Sequence, residues 1–105
     1  MEVREACQSL AGVFALLATR ENDRDVFLVV GHCMRRGGES MSPGQIQSVA
    51  DINTVFERSS AIKGLVDDGL LCYVEEPMCV NHEPESSDEL TLTKKGKMVF
   101  ELIFD

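Results

Sequence analysis

The chain has 105 residues, a formal net charge of −8, and 44 % hydrophobic against 27 % charged residues. That length suits one domain, residues 1–105, and leaves no material for a second core. No apolar run approaches the ~20 residues of a membrane span. Glu2, Arg4 and Glu5 do not make the basic leader of a signal peptide. We expect a cytoplasmic protein.

Residues 2–21 read as a helix, because Val3, Cys7, Leu10, Phe14 and Leu17 recur at steps of four and three. Ala6, Val13, Leu16 and Ala18 widen that stripe, so it can face both the chain's own core and a second subunit. Asn22–Asp23 is expected to end this helix and cap the next. Residues 24–36 fit either a β-branched strand or a helix. Val26, Val29, Val30 and Cys33 keep helical spacing out to Met34, which favours a buried helix stopped at Gly37–Gly38.

Ser42 opens the next helix with Pro43 at its first position and Gln45 where a capping box places it. Ile46, Val49 and Ala50 form its apolar face, and residues 51–53 break it. Thr54 and Glu57 repeat the capping device for the following helix. Val55, Ser59, Ile62 and Val66 are expected along its inner face beside Leu65, and Gly69 is expected to stop it. Residues 70–76 and 89–93 then read as antiparallel strands, the second alternating at Leu90 and Leu92. Residues 94–104 read as a short helix with apolar residues around most of its circumference, a pattern that predicts a subunit interface.

The acidic excess is local. Glu75, Glu76, Glu83, Glu85, Asp88 and Glu89 fall in one stretch without Lys or Arg, and the rest of the chain is close to neutral. A nucleic-acid domain usually shows a basic stripe, and any such surface here has to be local.

The sequence predicts a mainly α domain with a small two-stranded β element, in the order α-α-α-α-β-β-α. Three motifs stand in that order: Ser42-Pro43-Gly44-Gln45-Ile46, the run from Ile62 through Gly69 to Leu71, and Leu90-Thr91-Leu92-Thr93-Lys94-Lys95-Gly96. In this the chain resembles winged helix-turn-helix regulators of the MarR type, over about residues 42–100. The resemblance implies a helix-turn-helix at about 42–68, a wing at about 70–93, and dimerisation helices at about 2–21 and 94–104. It implies a homodimeric transcription regulator that binds double-stranded DNA through the helix at 54–68.

Carried onto this sequence, the resemblance makes Thr54, Glu57, Arg58, Ser60 and Lys63 the candidates at the bases and Ser42 and Gln45 those toward phosphates. Arg58 suits a guanine and Glu57 a cytosine amine. Lys94 and Lys95 sit at the positive end of the last helix, where Lys is disfavoured. They are either a phosphate contact or a solubilising turn. The expected dimer interface is Val3, Cys7, Leu10, Phe14 and Leu17 with Val99, Phe100, Ile103 and Phe104.

The charges depart from that family. Between Ser42 and Val66, Asp51 and Glu57 cancel Arg58 and Lys63. The wing loop lacks the arginine that such wings carry, and carboxylates repel phosphate. An alternative is therefore a protein–protein interaction module whose acidic wing docks a basic partner without DNA.

Other chemistry is thinly represented. The four cysteines, Cys7, Cys33, Cys72 and Cys79, show no disulfide framework and suit buried thiols in a reducing compartment. Cys72, Cys79 and His82, with His32 or Cys33 as a fourth ligand, are spaced more widely than structural zinc sites prefer. Cys7 has only Arg4 nearby to depress its pKa, with Glu5 opposing it, which argues for packing over redox sensing. No nucleophile–base order and no phosphate-binding glycine loop stands out. We expect no enzyme, no metal and no cofactor.

Overall fold

A computed structural model describes residues 20–78 and 82–104. The elements are α1 (Glu21–Arg35), α2 (Pro43–Ala50), α3 (Val55–Asp67), β1 (Leu71–Tyr73), β2 (Leu90–Leu92) and α4 (Lys94–Phe104). The described chain is thus mainly helical, in the order α-α-α-β-β-α, with one small antiparallel sheet. The helix expected over residues 2–21 lies outside the described residues except at its end, and with it Val3, Cys7, Leu10, Phe14 and Leu17.

Residues 24–35 are helical, as their spacing favours. The boundary before them differs from expectation, because Asn22 and Asp23 lie inside α1. Glu21 and Asp23 occupy its first turn, where the helix dipole favours acids, and Asp23 pairs with Arg20 at 3.4 Å. Residues expected to cap this helix from outside therefore lie within its first turn. Asp23 is buried against α3, and loss of water raises its carboxyl pKa above the usual range, Arg20 only partly opposing this.

The caps follow the sequence closely. Ser42 Oγ accepts from Gln45 N while Gln45 Oε1 accepts from Ser42 N, closing the capping box of α2. Asp51 turns left-handed (φ 57°) to end that helix. Thr54 Oγ1 accepts from Glu57 N at 3.0 Å at the start of α3. Gly69 (φ 77°) follows α3 as its stop, and Gly37 (φ 94°) follows α1.

The strands are shorter than expected, three residues each, in the register Leu71–Leu92, Cys72–Thr91 and Tyr73–Leu90. Leu90 also pairs on its other side with Met41, through hydrogen bonds of 2.8 and 2.9 Å. That second bridge draws the segment before α2 onto the sheet.

α1 is the central support and packs on α2, α3, β2 and α4. Its Val26, Phe27 and Val30 meet Ile46, Ile62 and Leu65 in a single core. The inner face of α3 carries Ser59, Ile62, Leu65 and Val66 as expected, and departs from expectation only at Val55. Ala61, Ile62 and Leu65 are buried, whereas Val55 is 58 % exposed.

α4 spans the residues expected of it, but its faces divide differently. Val99 and Phe100, expected at a subunit interface, are buried in the chain's own core. Phe100 meets Phe27 edge-on at a centroid separation of 6.1 Å and covers Gly31, where a Cβ would collide with its ring. The reason is the bare backbone at Gly31, which lets α1 and α4 approach closely enough to bury a Phe between them. Ile103 remains partly exposed, joined by Met98 and Leu102. The Phe104 side chain lies outside the description.

Thr93 joins the sheet to α4. Its N–H donates to Leu70 O, its hydroxyl donates to Gly69 O, and it accepts from Gly96 N at 2.9 Å. Gly96 lies so close to Leu70 O that an added Cβ would enter the carbonyl's van der Waals radius. Replacing Gly96 by Ala therefore forces a backbone shift at the junction. We expect a loss of about 1–3 kcal/mol, the usual cost of overpacking, read as a lower denaturant midpoint at unchanged slope.

Candidate functional site

The surface to be tested for recognition is the outer side of α3 and the acidic segment that follows it. Phe56, Ser60, Lys63 and Asp67 recur at steps of four, three and four, so they form one stripe along α3 opposite the buried Ile62 and Leu65. The stripe lines an open groove of about 980 Å³, lined also by the first turn of α1 and by Glu83. Phe56 is 82 % exposed at its start.

The two cations of α3 are both committed within the chain. Arg58, expected to reach a guanine, is only 8 % exposed, and its Nη1 donates to Gln47 Oε1 of α2 at 3.1 Å. Its Nε is buried without a hydrogen-bond partner among the described residues. This burial has a helical cause: Arg58 lies four residues before Ile62 and three before Ala61, which puts it on the inner face. Lys63 sits at the surface but contacts Glu83 at 2.6 Å. The acidic segment thus folds back on α3 and neutralises the cation that α3 exposes.

The remaining candidates divide between capping and solvent. Ser42, Gln45 and Thr54 are used first as caps, and Glu57 supplies the backbone N–H that Thr54 holds. Ser60 and Lys94 are exposed. Lys95 donates to Asp68 O at 3.2 Å, so one of the two lysines at the start of α4 neutralises the carbonyl end of α3. These residues do not assemble into one basic surface.

Within the acidic segment the carboxylates differ in engagement. Asp88 accepts from Glu85 N at 2.8 Å and lies 2.7 Å from His82 Nε2. Burial opposes its charge, but those two partners prevail and hold its pKa below the usual range. Tyr73 of β1 meets the His82 ring edge-on, fixing that loop against the sheet. Glu89 accepts from Ser40 Oγ at 2.7 Å. Glu75, Glu76 and Glu85 are exposed. Cys72 is half-buried on β1 and Cys79 lies outside the described residues. Among the described residues no three His, Cys, Asp or Glu side chains are grouped to hold a metal ion.

Phe56 and the groove are what sequence reading missed. The stripe is periodic in the sequence, but the apolar spacing that puts Val55 on the inner face gives Phe56 no role. No family model, no curated protein and no solved structure matches this chain. Among the described residues, no helix is long and apolar enough to cross a membrane.

Arg58 and Lys63 should therefore respond differently to truncation. Arg58→Ala leaves Gln47 unpaired and opens the α2–α3 contact, for an expected loss of about 1–3 kcal/mol in chemical unfolding. Lys63→Ala should change stability by no more than about 1 kcal/mol, as for other solvent-exposed ion pairs.

Proposed function

We propose that this chain is a protein–protein interaction module, built on a winged-helix-like order of elements, whose acidic surface docks a basic partner. The observation that carries this reading is the commitment of both α3 cations. Arg58 is buried against Gln47, and Lys63 is paired with Glu83. A helix inserted into a DNA groove needs free donors at its outer face and cations near phosphate. This one offers an exposed Phe56, and the chain also exposes Glu75, Glu76 and Glu85, which have no ion-pair partner among the described residues. A basic protein surface gains from those carboxylates, whereas a phosphate backbone is repelled by them.

The competing reading is a MarR-like regulator on double-stranded DNA, and duplex binding separates the two. Fluorescence anisotropy with a mixed-sequence duplex at low salt should show no saturable binding. A labelled Lys-rich peptide should bind and weaken as salt is added. Its affinity should fall further in the triple variant Glu75→Gln, Glu76→Gln, Glu85→Gln. Tight duplex binding that falls steeply with salt would overturn the interaction reading in favour of DNA.

Homodimerisation belongs to the same proposal. With Val99 and Phe100 taken by the core, the self-contact is assigned to Met98, Leu102 and Ile103 on α4, three apolar side chains left at the surface. Sedimentation equilibrium should give twice the chain mass, and Leu102→Glu with Ile103→Glu should give a folded monomer. A monomeric mass for the unaltered chain sinks this part.

A further inference from the structure

We propose that the groove along α3 is the recognition site for an amphipathic basic helix of a partner protein. The partner's apolar side chain would pack on Phe56 and its lysine or arginine would lie at Asp67. This inference rests on the interaction reading above and says where on the surface recognition occurs and what it selects.

Charge complementarity at the groove specifies the partner. Four of its six charged residues cancel in pairs, Arg20 with Asp23 at 3.4 Å and Lys63 with Glu83 at 2.6 Å. Glu21 and Asp67 remain, and neither has an ion-pair partner among the described residues. The two are not equivalent. Glu21 stands at the N-terminal end of α1, where the helix dipole offsets its charge. Asp67 is the last residue of α3, where no helix N-terminus offsets its charge and Lys95 is taken by the carbonyl of Asp68. Asp67 is therefore the groove carboxylate left for a partner's cation.

The other end is aromatic. Phe56 keeps 82 % of its surface in water, which is unfavourable for so large an apolar ring until something covers it. Phe56 and Asp67 are 11 positions apart on α3, so about 16 Å separates them at 1.5 Å per residue. A helix laid along α3 spans that distance, with apolar anchors at helical spacing toward Phe56 and a cation toward Asp67. Ser60, between them, is small enough to leave the groove floor open.

The test uses the whole chain and a fluorescent amphipathic Leu/Lys helical peptide, with a scrambled peptide of the same composition as reference. The helical peptide should bind more tightly than the scrambled one. Phe56→Ala should weaken it about tenfold, the size of an aromatic anchor lost, and Asp67→Asn about threefold. Both side chains are exposed, and circular dichroism should be unchanged. Lys63→Ala should tighten binding, because it frees Glu83, whereas a nucleic-acid groove would be weakened by the same change. Equal affinity for the two peptides, or full affinity in Phe56→Ala, overturns the groove assignment. If the Glu75, Glu76 and Glu85 variant alone loses peptide binding, the interaction reading survives and the groove does not. Self-association abolished by Phe56→Ala would give the groove to a second copy of the chain, and also overturns the proposal.

Discussion

Thr93 ties together the end of α3, the sheet and the start of α4. Its N–H and hydroxyl hold the carbonyls of Leu70 and Gly69, while the same hydroxyl caps α4 by accepting from Gly96 N. Lys95 adds a bond to Asp68 O, the next carbonyl back along α3. Together these contacts fix the direction in which α3 leaves the core, and hence which of its faces is covered. They also bring α4 so close to Leu70 that only glycine fits at position 96. The small sheet could not do this alone, since two strands of three residues provide few ladder bonds. Leu90 supplements it by pairing with Met41 as well as Tyr73, which attaches the start of α2 to the same junction.

The inner face of α3 is consequently closed against α1 and α2, with Arg58 trapped at the α2 contact. The buried guanidinium is satisfied in part by Gln47, which accepts from its Nη1. The outer face, by contrast, is shaped by a long-range pair. Lys63 and Glu83 are 20 residues apart in sequence, and their contact brings an acidic loop onto α3. Two intramolecular commitments thus leave α3 without an unpartnered cation among the described residues. What remains is an aromatic side chain, a neutral serine and a terminal carboxylate.

The segment after β1 is held by His82, Asp88 and Tyr73. Glu83, Asp88 and Glu89 have side-chain partners, whereas Glu75, Glu76 and Glu85 are exposed.

Much of the fold was legible in the residues themselves. The Ser42–Gln45 box, the Thr54 hydroxyl cap, the stops at Gly37 and Gly69 and the extent of α4 are local signals, because each depends on hydrogen bonds or backbone angles within a few positions. The helix over residues 24–36 was legible from its period. What periodicity does not supply is phase: a stripe of apolar side chains says that one face is inward, but the partners decide which residues border it. Spacing alone puts Val55 on the inner face of α3, yet it is exposed, while Arg58 is buried. The apolar circumference of α4 suggests a second subunit, yet Val99 and Phe100 are consumed by the core because Gly31 lets α1 approach. The commitment of Lys63 was beyond local reading, since its partner comes from a distant loop. The sequence by itself determined where the helices begin and end. Only the tertiary structure decided which charges are free, because charge compensation depends on neighbours in space rather than along the chain.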